Sequence, residues 1–447
     1  MDVDVIVLGL GPGGESAATR LAEAGLSVVG IDRRLVGGEC PYYGCIPSKM
    51  MIRAADALAE GRRVPGLAGT SELNPDWSVV AERIRDEATT DWDDRIAVDR
   101  LEAAGVRFVR GEGRLTGPGA VEVDGTTYVA SRGVVVNTGT EPAVPPIPGL
   151  EDTPFWTNRE AIRVTELPGS MIVIGGGAIG VELAQAFARF GVEVTIVEAA
   201  DRILAPEEPE ASKLVADALK AEGIGVIEGA AVSAVSHDDG FLVTVGDQER
   251  GDQELRADQL LLATGRHNNI SAIGLESIGL DPSAPVLATD QWMRAGERLW
   301  AIGDVTGKGA FTHISMYQAD VAVRDILDQG GHAADYRAVS RVTFTDPEVG
   351  SVGITEHAAR EAGGVIRAGL SADLGARGWI AKAGGLVKVV ADGDVLVGAT
   401  AVGPGGGEIL SMLATAVHAR IPVETLESMH FAYPTYHRAV MTALGDL

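Results

Sequence analysis

Val3-Asp-Val-Ile-Val-Leu-Gly9-Leu-Gly11-Pro-Gly-Gly14 opens the chain and decides its fold. Residues 3–8 are a short apolar run, which reads as a buried parallel strand. A G-x-G-x-x-G turn follows at once. A helical pattern then runs from about Gly13 to Ala24, and a second apolar run from Leu26 to Ile31 ends at Asp32. Strand, glycine turn, helix, strand and acid together form a complete dinucleotide-binding context. Gly9 makes the tight turn, Gly11 lets backbone approach a pyrophosphate, Gly14 lets helix pack on strand, and the helix N-terminus faces the phosphates. Asp32 is placed to accept hydrogen bonds from a ribose diol.

The same arrangement returns further along. Met171–Ile174 reads as a strand, Gly175-Gly-Gly177-Ala-Ile-Gly180 as a second fingerprint, Val181 to Phe190 as a helix, and Val192–Val197 as a strand ending at Glu198. Two such units imply two dinucleotides. An acid at Glu198 suits a free 2′-hydroxyl and repels a 2′-phosphate, which favours NAD over NADP, although Arg202 lies close by. Each unit is also followed by a region of short strands ending in a buried strand and Thr-Gly: Thr138-Gly139 after the first, with Gly111-x-Gly113 and a hairpin turn at Asp124-Gly125 on the way, and Thr264-Gly265-Arg266 after the second. A Pro-rich connector, Pro142 to Pro148, separates the halves. Leu299-Trp-Ala-Ile-Gly303-Asp304 is a strand with an acid just beyond its end, placed to hold a polar cofactor chain. Val79 to Ala104 reads as one long amphipathic helix with Trp77 and Trp92 as core residues. From Val342 the texture changes to strands plus helices at about Glu408–Ala419 and Pro434–Leu444, a third, α+β domain without a fingerprint.

The only two cysteines, Cys40 and Cys45, share the stretch Gly37-Gly-Glu-Cys-Pro-Tyr-Tyr-Gly-Cys-Ile-Pro-Ser-Lys49. A structural zinc needs four ligands and no third cysteine exists, so no metal site is expected. The alternatives are a redox pair and two inert core thiols. The concentration of both in one Gly- and Pro-rich loop favours the redox pair, since a bridge across so short a loop would be readily reduced. A helix beginning near Cys45–Pro47 would stabilise a Cys45 thiolate.

The net charge is −26, from 63 acidic and 37 basic residues. It argues against nucleic acid and anionic membranes as partners. There is no apolar run of membrane-spanning length, and no basic region precedes the first strand as in a signal peptide. A cytoplasmic protein is expected, in which a lone disulfide serves catalysis rather than structure.

With these pieces in order, the chain resembles the flavoprotein disulfide reductases, the group containing dihydrolipoamide dehydrogenase, glutathione reductase and mercuric reductase. The resemblance rests on the first fingerprint, GGECPYYGCIPSK, GGGAIGVE, ATGRHNN, AIGDV and FTDPEVGSVGITE, and spans essentially the whole chain. It implies an α/β fold: two Rossmann-like domains, for FAD and NAD, plus a C-terminal α+β dimerisation domain. The corresponding divisions are 1–143 and 266–332 for FAD, 144–265 for NAD(P), and 333–447 for the interface. FAD would lie on the first fingerprint with Asp304 at its ribitol, and a nicotinamide cofactor on the second. Cys45 would be the charge-transfer thiol and Cys40 the interchange thiol. Lys49 and Glu182 would pair beside the flavin and the nicotinamide. The family homodimerises through its C-terminal domain, and each active site borrows C-terminal residues from the partner.

One departure bears on the chemistry. Disulfide-reducing members carry His-Pro-Thr-x-x-x-Glu near the C-terminus, where this chain has Tyr433-Pro-Thr-Tyr-His437-Arg438. Tyrosine, with a reference pKa near 10, donates a hydrogen bond at neutral pH but is a poor base. His437 is a substitute base, on the expectation that a helix starting at Pro434 puts Tyr433 and His437 on one face. Mercuric reductases also have tyrosine near this position but add a C-terminal cysteine pair, and here no cysteine follows Cys45. The small-molecule electron acceptor is therefore open. A disulfide or other thiol-reactive compound reduced at the cysteines is the leading reading. Direct reduction of quinones, metal ions or oxygen at the flavin is the alternative, and a non-enzymatic redox sensor a third.

Overall fold

A computed structural model describes residues 1–247 and 251–447. The chain divides into two units, each discontinuous in sequence: Met1–Ser48, Ala81–Ala143 and Arg266–Asp335 form the first, and Lys49–Val80, Val144–Gly265 and Tyr336–Leu447 the second.

In the first unit the opening strand Asp2–Leu8 lies in parallel between Val28–Asp32 and Thr126–Val136. Val106–Arg110 extends the sheet on one side and Leu299–Ala301 on the other, both parallel. A strand buried on both faces must be apolar throughout, as residues 3–8 nearly are. Side chains of alternate residues serve different layers. Val5, Val7 and Val135 pack with Ala17, Leu21 and Val323 of the helices Pro12–Glu23 and Thr312–Ile326. Ile6, Leu8, Val134 and Val136 pack with Leu115, Val121 and Val123 of an antiparallel hairpin. The expected turn at Asp124-Gly125 is present, with φ of 47° and 77°, the left-handed pair that a two-residue hairpin loop requires.

The second unit repeats this plan. Gly225–Ile227, Glu193–Val197, Ser170–Ile174 and Gln259–Leu262 form a parallel sheet in that order. Three antiparallel strands follow the fingerprint unit, Ala231–His237, Phe241–Asp247 and Gly251–Ala257. The unit also holds the α+β region. Five antiparallel strands run in the order Ser340–Thr343, Glu348–Gly353, Val395–Gly403, Leu386–Asp392, Ile366–Ser371. The helices Gly406–Ala419 and His437–Leu444 bury Ile409, Leu413, Val440 and Ala443 with Val387 and Val389 of that sheet.

Two expectations about helices fail. The stretch 79–104 is not one helix. Trp77–Arg83 is followed by a π turn, Ile84–Ala88, then by Thr90, Asp91 and Trp92 in left-handed conformation, before Arg95–Ala103 resumes. The apolar period continues across the break, so periodicity alone could not reveal it. The last helix starts at His437, not Pro434. Thr435 Oγ1 bonds back to Ala432 O at 2.7 Å, a local side-chain bond of the kind that competes with helix. Tyr433 therefore lies ahead of the helix and does not share a helical face with His437.

Candidate active site and nucleotide cradles

The two fingerprints are built alike, atom for atom. Gly9 and Gly175 stand at φ of 94° and 108°, and a Cβ at either would strike a carbonyl of the neighbouring strand end, Asn137 O at 2.4 Å or Ala263 O at 2.3 Å. At Gly14 and Gly180 a Cβ would lie 2.0 Å from the carbonyl of Gly9 or Gly175, so helix and turn could not close together. The helices Pro12–Glu23 and Ala178–Arg189 start at Gly11 and Gly177, neither of which has a side chain to cap its helix, and a helix start of this kind suits an anion.

Each acid props its own turn. Asp32 Oδ2 accepts from Leu10 N and Oδ1 from Arg34 N, both at 2.7 Å. Glu198 Oε2 accepts from Gly176 N at 2.6 Å and Oε1 from Ala200 N at 2.7 Å. Burial raises the Asp32 pKa, partly offset by those two backbone donors. Arg202 gives its guanidinium to Ala205 O and Glu207 O, at 2.7 to 2.9 Å. It is committed to backbone rather than held ready for a phosphate.

The second cradle opens as a cleft of about 330 Å³ lined by Gly175, Gly177, Glu198, Thr264 and Gly265. Its donors and its acid fit a nicotinamide dinucleotide. The first cradle is overlain by the helix Thr312–Ile326, where Ser315 Oγ would meet a Cβ on Gly13 at 2.2 Å. Asn137, with its amide nitrogen toward Ile302 O and Ser315 Oγ, accepts from Gly14 N at 2.9 Å. The buried Thr138 Oγ1 has no partner, and such an atom is costly unless a ligand or water meets it. With the uncapped helix start, it fits the polar arm of FAD. Asp304 stands at the head of a 3₁₀ turn, its Oδ2 accepting from Thr140 Oγ1 at 2.7 Å.

Several candidate residues have structural duties. Gly113 lies against Leu8 and Ile31, where a Cβ would clash, so core packing accounts for it. A Cβ on Gly303 would meet the Asn137 side chain at 2.6 Å and Ser315 Oγ at 2.9 Å, and the Gly303 N–H donates to Gln318. Gly139 and Gly265 have left-handed φ and open space beside them. Arg266 donates to Thr140 Oγ1 at 2.7 Å and Thr140 O at 2.8 Å and pairs with Glu39.

The cysteines are free thiols, Cys40 half-buried and Cys45 exposed. Cys40 ends up in a one-turn helix, Glu39–Tyr42, and Cys45 begins the helix Cys45–Arg63. Cys45 Sγ lies 3.4 Å from Thr312 Oγ1. The neighbouring Cys45 thiol, and after it burial, push the Cys40 pKa well up, so Cys40 holds its proton at neutral pH.

In the second unit Lys49 Nζ meets Glu182 Oε2 at 2.6 Å, and the Phe344 ring lies 4.6 Å below the ammonium. The other oxygen, Glu182 Oε1, accepts from Phe344 N at 2.8 Å. Glu182, Gln185 and Arg189 recur at helical spacing and bind residues 344–346 in register: Gln185 exchanges two hydrogen bonds with the Asp346 backbone, and Arg189 takes Asp346 Oδ2 at 2.8 Å. Sequence reasoning named Lys49 and Glu182 but gave no part to Phe344, Gln185, Arg189 or Thr312. Phe344 and Asp346 lay inside a quoted motif, while Thr312 carried no signal.

Tyr433 is 71% exposed, with the Arg438 guanidinium 5.3 Å from its ring centre. His437 is the first residue of its helix rather than a residue within the first turn of one begun at Pro434. The described residues hold no group of three or more His, Cys, Asp or Glu side chains placed to bind a metal ion, and no described helix is long and apolar enough to cross a membrane.

Two Rossmann-like cradles, a paired-cysteine loop and an α+β region define a two-dinucleotide oxidoreductase. Comparison with known proteins makes this specific. Residues 3–324 match the pyridine nucleotide-disulphide oxidoreductase family and residues 339–444 its dimerisation domain. The chain belongs to that family. It is 34% identical to a dihydrolipoyl dehydrogenase of Halobacterium salinarum, over 98% of this chain and 95% of the relative. It is 31% identical to a mercuric reductase of Staphylococcus aureus, over 97% and 80% respectively. Among solved structures it is similar to the Cu(II) complex of the HOCl-induced flavoprotein disulfide reductase RclA from Escherichia coli, with TM-score 0.86 and 26% identity over 100% of this chain and 99% of that one. The protein is thus an NAD(P)H-dependent FAD oxidoreductase that acts through a redox-active disulfide. Its cofactors are FAD and NAD(H), and its dimerisation domain supports a homodimer.

Proposed function

We propose that the chain oxidises NADH and passes the electron pair through Cys40 and Cys45 to a disulfide or another thiol-reactive small molecule. The observation that carries this reading is the cysteine pair itself: two free thiols near enough to raise the Cys40 pKa, with Cys45 exposed and against the Thr312 hydroxyl. FAD, when bound, supplies a two-electron relay between a nicotinamide hydride and the sulfur pair. Gly9, Gly11, Gly14, Asp32, Thr138, Gly139 and Asp304 would hold it. Gly175, Gly177, Gly180, Glu198 and Gly265 would hold NADH. With Arg202 bonded to backbone and Glu198 facing the cleft, a 2′-phosphate would meet only repulsion, so NADH is preferred to NADPH.

Lys49 and Glu182 act as one unit. The carboxylate is held on both oxygens, by Lys49 and by Phe344 N–H, and so fixes the ammonium, which would serve the hydride transfer once the cofactors are bound. Cys40, protonated by its surroundings, needs a base before it can attack an acceptor. His437, at the first position of its helix, is the residue that takes that proton. Tyr433, exposed, serves as a hydrogen-bond donor. In the homodimer Tyr433 and His437 of one chain complete the Cys40–Cys45 site of the other. Residues 1–143 and 266–332 form the FAD domain, 144–265 the NAD domain and 333–447 the interface domain. The protein works in the cytoplasm.

The test is an anaerobic NADH titration of the holoprotein with thiol counting, followed by an acceptor panel on wild type, Cys40→Ser and Cys45→Ser. Two electrons per chain should appear as two alkylatable thiols, and disulfide turnover should vanish in both variants. Full quinone turnover in the variants with no disulfide turnover in wild type would instead place the chemistry at the flavin. Loss of turnover in His437→Ala but not Tyr433→Phe checks the assignment of the base.

A further inference from the structure

Between the helices Trp77–Arg83 and Arg95–Ala103 the backbone takes an unfavourable course. Thr89 N donates to Ile84 O at 3.0 Å, closing the π turn Ile84–Ala88. Thr90, Asp91 and Trp92 then follow at φ of 49°, 55° and 55°. Three consecutive non-glycine residues in the left-handed region, one of them β-branched, are rarely found unless other contacts hold them there. Two of the contacts made here run to the segment that carries the cysteines. Trp92 Nε1 donates to Tyr42 O at 3.1 Å, and Asp94 Oδ2 accepts from Val36 N at 2.6 Å. Tyr42 closes the one-turn helix Glu39–Tyr42 that contains Cys40, and its carbonyl is one that intrahelical bonding leaves open. Trp92 is half-buried, and its indole N–H points into the redox loop rather than into the core.

We propose that Trp92 is a positioning residue for the Cys40–Cys45 pair: by holding Tyr42 O it fixes the short helix that carries Cys40 and so sets how readily the two sulfurs close into a disulfide. The proposal rests on the reading of these cysteines as the redox pair. In that closure each sulfur gives up its proton, an S–S bond forms, and two electrons leave to an oxidised disulfide, which becomes two thiols. The brace lowers the chain freedom that closure must remove. Removing it therefore lowers the concentration of one sulfur at the other and makes the disulfide less favoured against any reference couple.

The holoprotein is equilibrated in glutathione buffers of graded thiol-to-disulfide ratio, quenched in acid, alkylated and counted by mass. Trp92→Phe keeps an aromatic ring but no N–H. It should lower the equilibrium constant for disulfide formation by about 3–10-fold, the size of one hydrogen bond, or about 15–30 mV toward a less negative potential. Asp94→Asn, which still offers an acceptor to Val36 N, should move it in the same direction by less, and it carries the test if Trp92→Phe does not fold. Trp77→Phe is the control. It removes a comparable bond, Trp77 Nε1 to Val164 O at 2.9 Å, and should leave the equilibrium unchanged. An unshifted Trp92→Phe midpoint, or an equal shift in Trp77→Phe, overturns the proposal. If the wild-type chain forms no Cys40–Cys45 disulfide in any buffer, the redox-pair reading itself falls, which is a different result.

Discussion

The two nucleotide cradles share a plan and differ in what surrounds it. Gly9 and Gly175, Gly14 and Gly180, Asp32 and Glu198 occupy matching places and make matching bonds. Around the first, however, Asn137 and Ser315 close over the glycine turn, a helix covers the start of the phosphate-binding helix, and a buried hydroxyl waits for a partner. The second is a cleft open along Glu198 and Gly265. One motif thus serves two uses. Enclosure suits a cofactor that stays through every turnover, and an open cleft suits one that must enter and leave. The difference lies in the neighbours, because the motif itself only has to present amides and an acid to a pyrophosphate and a ribose.

The sharpest way to break this comparison is to make the same change in both cradles. Gly14→Ala and Gly180→Ala each push a Cβ into a carbonyl at 2.0 Å. Gly14→Ala should yield chain largely without FAD, read from flavin absorbance per chain. Gly180→Ala should retain FAD while its KM for NADH rises at least tenfold, an effect of about 1.4 kcal/mol. Equal flavin loss in both would remove the distinction between resident and exchanging cofactors.

Next in size is the acid. Glu198→Ala should raise KM for NADH about tenfold, the loss of a hydrogen bond to a charged group, and bring NADPH close to NADH in kcat/KM. With Arg202 tied to Ala205 and Glu207, NADPH should still not be favoured. A strong NADPH preference in that variant would show that Arg202 is free to swing in.

A smaller effect is expected two turns from the second fingerprint. Asp346→Asn weakens the Arg189 anchor of the loop whose Phe344 N–H holds Glu182. Flavin reduction by NADH should slow about threefold, with KM for NADH unchanged, because the loop orients Glu182 and does not bind the nucleotide. A raised KM with an unchanged rate would assign the loop to binding.

The smallest belongs to the redox loop. Burial, then the carboxylates of Asp94 and Glu15, raise Tyr42 to about 12. The raised folded-state pKa means that Tyr42 contributes in full below the unfolded value of about 10, and that this contribution is lost as pH rises toward 12. Urea midpoints measured from about pH 9 upward should fall in wild type and fall less in Tyr42→Phe. Parallel curves would mean that the phenol is not confined as its surroundings indicate.

The sequence by itself determined both cradles, the cysteine pair and the third domain, because glycine spacing, apolar runs and terminal acids are local patterns with local physical causes. The Lys49–Glu182 pair was reachable only through resemblance, since 133 positions separate its members. Tertiary structure decided the rest. It broke the expected helix 79–104 at a π turn and turned Trp92 toward the cysteines. It started the last helix at His437 and gave Gly113 and Gly303 packing duties. It also packed a helix over the glycine turn of one cradle and left the other a cleft. These outcomes depend on which atoms from distant segments come within bonding distance, and a periodic pattern, which reports only the face a residue occupies, holds no record of what that face will meet.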